Sequence, residues 1–565
     1  MNRQRGALTF IVPLIMVIIV LFGTLAIDGA RLYSLRQDMQ SQVNAAATAA
    51  ADSAHSCSSF SSVQTAGQIQ IMAEDAAKAS GWDGKGKFQV STGVIEGDEG
   101  SLDFRPADVL QANAVAVRYE RDVPMSLLLP DRFANLTMTV SAAAKKEVLA
   151  TLSAAGTTAV VGGSTGSATV LNSLLGALFN GGQPYAFSPT DLNQLADVTV
   201  RLGDLLDQTG VGGVVNSLPV DAEALAENLS GVLGALSPAG RLADDLLDTA
   251  VGLDGVSVEQ VLKLAEEGAV VPENASIPVY DLLMSLALNT LEGTSVMLEN
   301  IGVSVPGLAE VDAHVDVFKA PSVVVAPARQ DQDGEWLGHV ETADVAIRLA
   351  TKIDTNLTIL GTGLRARIDL PLDVETGSGE ADLVRARCAS GTGNDVVFGL
   401  TGRIGIAGID GAADINVQLQ LLGIPITLLG LRLNVDLPVD GGPFDIETDP
   451  ISLNAVEEQN FVRGGDLQLG GLSDANLSIE GSAHAASYNC GLICGAVNVL
   501  LSPIVALLNG VLQSSLLGLI TSILEAVINP LLSALGLDLG VMNVAVTDAQ
   551  QGRVVLIEGL QEDAF

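Results

Sequence analysis

The chain has 565 residues, a formal net charge of −38 and four cysteines. An acidic balance of that size excludes nucleic acid and an anionic membrane surface as partners of the bulk of the chain, because both require basic patches. Hydrophobic residues make up 48% but aromatics only 4%, so Leu, Val, Ile and Ala must fill the cores, and the length allows roughly two to four domains.

The first element is the uncharged run from Gly6 to Ile27 (GALTFIVPLIMVIIVLFGTLAI). At about 1.5 Å per residue it reaches roughly 33 Å, enough to cross a bilayer core of about 30 Å. Pro13 does not argue against a span, since a helix in lipid re-satisfies one freed carbonyl locally. Arg3 and Arg5 precede the run, so the positive-inside rule keeps residues 1–5 cytoplasmic and puts everything after Asp28 on the other side. A cleaved secretory signal is the rival reading. It fits less well, because signal cores run about 7–15 residues and end in a small-x-small site, for which Thr24-Leu25-Ala26 is a poor candidate. The following stretch, DGARLYSLRQDMQSQVNAAATAAADSA, has no Gly or Pro after Gly29, so one helix is expected to continue to about Ala54.

A second helix is expected over Ser62–Ser80, closed by Gly81, with Ile69, Met72, Ala73 and Ala76 on one stripe. FQVSTGVI, AVAVRYE and LTMTVSA alternate with period two and read as strands. Residues 28–150 are therefore expected to hold the helix extension and a small, pilin-like α+β unit. Residues 151–295 read as a helical region, with starts at Ser188 (Pro189 following) and at Ser257 with Gln260 as a capping box, and stops at Gly210, Gly255 and Gly268. Residues 296–485 turn to strands, among them VDAHVDVFKAPSVVVAPA, ADVAIRLATKID, LTILGTGLRARIDLPLDV, DINVQLQLL and ITLLGLRLNVDLPVD, which suggests a sandwich or an open barrel. Residues 486–565 are expected to form amphipathic helices and a terminal strand pair. In Val497–Leu535 a polar stripe (Ser502, Asn509, Gln513, Ser522, Glu525, Asn529) and the absence of a basic cluster favour packed helices over a second crossing. The fold class is thus α+β and multidomain: a long membrane-anchored helix, a pilin-like unit, a helical region, a β-rich domain and C-terminal amphipathic helices.

Four cysteines in an exported chain point to disulfides. Cys490 and Cys494 are four apart, whereas Cys57 and Cys388 stand alone, and three pairings are open. Zinc is disfavoured, because His55, His314, His339 and His484 show no ligand spacing with the cysteines. Gly162-Gly163-Ser164-Thr165-Gly166 matches the nucleophile-elbow pattern, but the chain lacks that fold's alternating strand–helix order and the same residues are plain turn composition. Asp331–Glu335 opens like a calcium loop but has no glutamate at position twelve. No cofactor, catalytic or metal site is assigned.

The combination RGA, an apolar span with Pro13, then Asp28, Arg31-Leu32-Tyr33, Gln40 and the alanine-rich Asn44–Ala51 resembles the N-terminus of TadG-type proteins of the tight-adherence (Flp) pilus system. The likeness continues more loosely through Ala114–Pro124 and Leu136–Ala144, and through Ser167–Gly181, Phe187–Leu206 and Leu531–Asp548. Ile11 stands five residues after Gly6, where related pseudopilins carry glutamate, so the resemblance does not extend to prepilin processing. The Asp-x-Ser-x-Ser site of some relatives is absent too. The resemblance implies a non-enzymatic, inner-membrane, single-pass component with its bulk in the periplasm, acting as scaffold or envelope anchor with other pilus-assembly membrane proteins. Asp28 and Arg31 at the membrane boundary, and Ala46 and Ala50 on one small-residue face, are the candidates for docking with partner helices. A periplasmic lipid- or ligand-binding protein is the alternative, and an exported hydrolase using Ser164 a remote one.

Overall fold

The computed structural model describes residues 5–54, 66–96, 103–109, 111–126, 135–154, 165–205, 214–215, 222–234, 237–249, 256–264, 271–298, 308–359, 362–389, 395–403, 407–421, 424–439, 442–453, 460–464, 478–480, 522–535, 537–538, 541–551 and 554–560. Helix α1 runs unbroken over Arg5–Ala54 with Pro13 inside it, as its composition requires. Helix α2 (Ala66–Ala79) packs beside the upper part of α1.

Both helices lie on a five-stranded antiparallel sheet. Its order is β2 (Asp103–Pro106), β1 (Lys87–Glu96), β3 (Ala114–Pro124), β4 (Asn135–Lys145) and, at the far edge, the C-terminal strand Val555–Glu558. The pleat sorts its side chains. Val115, Val117, Tyr119, Val140, Ala142 and Ala144 face α1 and α2, while Ala114, Ala116 and Ala143 face Ile95, Phe104 and Ile557. This head combines two helices with an antiparallel sheet, and the sheet's last strand comes from residues 555–558.

Strand β5 (Val148–Ser153) follows β4 directly and enters a second, six-stranded sheet. There it pairs with Val541–Gln551 on one side and Val323–Pro327 on the other. Alternate residues again divide. Val148, Ala150, Leu152, Val324 and Ala326 pack against Val340, Leu383, Phe398 and Leu400 of a five-stranded sheet, forming a sandwich. Leu149, Val323 and Val325 turn to a helical layer. At its centre lies Val279–Thr290, whose residues Val279 to Leu288 are all buried. A helix apolar all round belongs inside a core. Beyond it lies a seven-stranded antiparallel sheet built on Leu308–Lys319, Asp344–Ile359, Thr362–Thr376, Ala407–Leu421 and Ile424–Val439, with Val311, Ala313, Val315, Ile347 and Val374 in contact with the helices.

The capped starts hold. Ser188 accepts from the Asp191 backbone N–H and Asp191 reaches back, completing a box with Pro189 in the first turn. Ser257 and Gln260 form another, but that helix is only Val258–Val261 before the chain becomes strand Leu262–Leu264. Gly210, Gly255 and Gly268 lie outside the described residues. Of the ambiguous Val497–Leu535 segment, residues 522–535 are described. They pass through a π-turn (Leu524–Ile528) into Asn529–Ala534, with Ile523, Val527, Ile528, Leu531 and Leu532 in the helical core.

The stripe at Ala46 and Ala50 is fully buried among the head's own residues. Replacing either with leucine inserts three carbons into a closed core and should cost about 1–3 kcal/mol. Thermal unfolding of a head-reporting signal checks this, and an unchanged midpoint for Ala46→Leu would show that the packing is looser than described.

Candidate functional site

The lower half of α1 shows what it is built for. Its most apolar stretch has a mean hydropathy of 2.6 and is almost uncovered by protein. Ile11, Val12, Leu14, Met16, Ile19, Phe22, Leu25 and Ile27 are all exposed. A core helix of the same hydropathy would be buried, so this half needs another apolar phase. Among the described residues it is the one helix long and apolar enough to cross a membrane, and it fits a membrane anchor. Within it the Thr24 hydroxyl donates to the Leu21 carbonyl at 3.0 Å, so this polar group is satisfied inside the helix.

From Ile11 onward the first buried residue of α1 is Asp28, which is only 9% exposed. Arg31 then donates from Nη2 to the Pro124 carbonyl at the end of β3. Gln40 Nε2 donates to the Ser141 carbonyl at 3.1 Å, and Asn44 Nδ2 to Glu558 Oε1 at 2.6 Å. Met39, Val43, Ala46, Ala47 and Ala50 complete the buried face. All four docking candidates therefore lie on the side of α1 that the head covers. The close approach that Ala46 and Ala50 permit is used within this chain.

Above the head lies a joint that the sequence reading missed. Two antiparallel strands cross it: β4 into β5, and Val541–Gln551 into Val555–Glu558. At the crossing Lys145, Glu147 and Arg329 are all buried. Arg329 Nε donates to Glu147 Oε1 at 2.6 Å, and Lys145 Nζ lies 3.8 Å from Glu147 Oε2. Burial holds the Lys145 ammonium below its usual value, against the pull of Glu147 and with the help of Arg329. Nearby, Asp548 accepts from the Ser276 N–H at 2.9 Å and from Gln550 Nε2 at 2.8 Å. Burial nonetheless raises its pKa, with those hydrogen bonds opposing. The available signal was KKE interrupting the apolar run AAAKKEVLA, and a lone Asp after NVAVT.

Among the described residues the remaining motifs do not assemble into chemistry. Ser164 lies outside the described residues, as do Cys57, Cys490 and Cys494; Cys388 ends strand Glu380–Cys388. At Asp331–Glu335 the Asp331 carboxylate accepts the N–H groups of Asp333 and Glu335, both at 2.9 Å, and Gly334 takes φ +87°. That is a self-satisfied turn. No group of three or more potential metal ligands occurs among the described residues. His339 pairs through Nδ1 with Asp382 Oδ1 at 2.7 Å, and its Nε2 lies 3.5 Å from Glu341. Glu341 in turn pairs with Lys319 of the seven-stranded sheet. These contacts make a cross-sheet clamp.

Residues 6–53 match the Tad family, described as Flp pilus-assembly TadE/G-like. The N-terminal helix is thus similar to the Tad segment of that family. The match covers α1 almost end to end, the uncovered lower half and the packed upper half alike. No curated protein and no solved structure matches the chain. The Tad segment points to a role in Flp pilus assembly.

Two outcomes follow from the site. Glu147→Ala strands two buried cations and should destabilise the joint by about 3–5 kcal/mol, measured by denaturant unfolding; a loss below about 1 kcal/mol would mean that water reaches the cluster. The pKa of His339 is raised, first by its hydrogen bond to Asp382 and further by the charges of Asp382 and Glu341, with burial opposing. Its stabilising contribution is therefore complete below the ordinary value of about 6.5 and lost as pH rises through the raised one. The stability gap between the parent and His339→Gln should be open at pH 5.5 and closed at pH 9. A gap independent of pH would contradict the clamp.

Proposed function

We propose that this protein is a non-enzymatic component of Flp pilus assembly, held in the bacterial inner membrane by α1 with its N-terminus inside and its bulk in the periplasm. It works as a scaffold or envelope anchor, in contact with other membrane proteins of the pilus machinery. One observation carries the reading: the Tad match falls on a helix that is bare and apolar below Asp28 and built into a packed helix-and-sheet head above it. The charge asymmetry at Arg3 and Arg5 supplies the orientation. In the described part of the late apolar segment, Ile523, Val527, Ile528, Leu531, Leu532 and Leu535 are packed in the helical core, which supports packed helix over a crossing for those residues. The four cysteines would be paired in that compartment, and alkylation before and after reduction reads their state directly.

Rigidity is what such a scaffold needs. From Asp28 to Ala51 the helix rises about 35 Å, and β3, at about 3.3 Å per residue, spans about 36 Å beside it. The head is therefore a column that holds the body at a fixed height above its anchor.

Phosphatase reporters fused after Ala54 and after Phe565 should both be active, as periplasmic fusions are. An inactive C-terminal fusion beside an active one after Ala54 would reveal a second crossing. Replacing residues 1–27 with a cleavable secretion signal should release a folded protein that no longer supports piliation. Normal piliation by the released form would contradict the anchored scaffold.

A further inference from the structure

The anchor is not the head's only feature at the membrane boundary. Arg31, whose side chain holds the Pro124 carbonyl, is four residues past Ile27, about 6 Å higher along the helix. The interfacial layer of a bilayer is about 5–8 Å thick on each side of the hydrocarbon core. The paired strand ends at Pro124 and Asn135 are thus brought to headgroup height. At that end, β3 and β4 pair as Val123 with Leu136 and Pro124 with Asn135. Two apolar side chains there are partly open to solvent: Met125 is 55% exposed and Leu136 43%. On the other side of α1, at the same level, Tyr33 is also exposed, in the place where interfacial tyrosines gather. The head's remaining apolar residues are largely buried on its two faces, and Ile71, an exposed exception, sits on α2 beside the upper part of α1.

We propose that the end of the β3–β4 hairpin, through Met125 and Leu136, rests in the interfacial layer of the leaflet from which α1 emerges. The occupant is the zwitterionic lipid interface itself. Continuity with the bare face of α1 argues for it, and the chain's acidity argues against an anionic surface. Two contacts, one helix and one hairpin end, fix the tilt of the head on the membrane, which a single helix leaves free. Such a contact is strengthened by apolar area and needs no specific headgroup.

The inference rests on the membrane reading of α1, and the test separates the two. The full chain is reconstituted in phosphatidylcholine vesicles, with or without lipid brominated high on the acyl chain. Tryptophan is placed singly at exposed positions by Met125→Trp, Leu136→Trp, Phe22→Trp and Ile71→Trp, and the emission of the parent's Trp82 and Trp336 is subtracted. The expected result is a blue-shifted added emission that is lost in brominated vesicles for Met125→Trp, Leu136→Trp and Phe22→Trp, but not for Ile71→Trp. Quenching of Phe22→Trp without quenching of Met125→Trp and Leu136→Trp overturns the hairpin contact and leaves the anchor standing. No quenching of Phe22→Trp overturns the anchor, and the hairpin proposal with it. Quenching of Ile71→Trp to the same degree means that the head lies flat on lipid, which also overturns the proposal.

Discussion

One helix has to satisfy two solvents, and the rest of the head follows from that. From Ile11 to Ile27 every turn of α1 presents apolar side chains outward, as fits a membrane anchor. Above it the same helix carries Arg36, Gln37 and Asp38 on exposed positions, and Met39, Val43, Ala46 and Ala50 on the buried ones. The change of phase falls at Asp28, where the head begins to cover the helix. No break in the backbone marks it. An unbroken helix transmits orientation across the boundary, whereas a Gly- or Pro-containing linker at that point would uncouple anchor from head.

The second constraint is closure. The head's edge strand Val555–Glu558 comes from beyond the body, so the body is inserted between β4 and that strand. Two strands cross the joint in place of one, and the Glu147–Arg329 pair with Lys145 fills it. A buried charge cluster contributes little net stability against an apolar equivalent but is costly to disrupt. Its role in this fold is to fix the relation of head to body. Asp548, held by the Ser276 N–H, ties the same crossing strand to the helical layer.

Local features of this architecture were legible in the sequence. Period-two alternation located the long strands between Leu308 and Val439, the start at Ser188 was readable from Pro189 after it, and the box at Ser257 from Gln260 three residues on. The head's helix and strands could be read as well, because each is amphipathic within its own span. Long-range pairing was not legible. Nothing in RVVLIEG says that it completes a sheet with Asn135–Lys145, since strand alternation specifies a buried face and not a partner. Glu147 and Arg329 meet across 182 positions; the KKE run marks Glu147 as unusual, but nothing local names Arg329 as its partner. Ala46 and Ala50 illustrate the converse: small side chains on one face permit close approach to any surface, and the surface proved to be the chain's own sheet. Asp331–Glu335 and Gly162–Gly166 fit turn composition as readily as the motif each partly matches, and only the Asp331 turn is among the described residues.

The central claim is that α1 above the membrane, β3, β4 and the C-terminal strand form one cooperative column rising from the bilayer. Native-state hydrogen exchange on the full chain in lipid nanodiscs tests it most directly, because cooperative units open together with a shared free energy. The account predicts that amides of residues 32–51, 115–123, 138–144 and 555–558 exchange with one common opening free energy and the same denaturant dependence. Rapid exchange of 32–51, or of 555–558 independently of the rest, would contradict it.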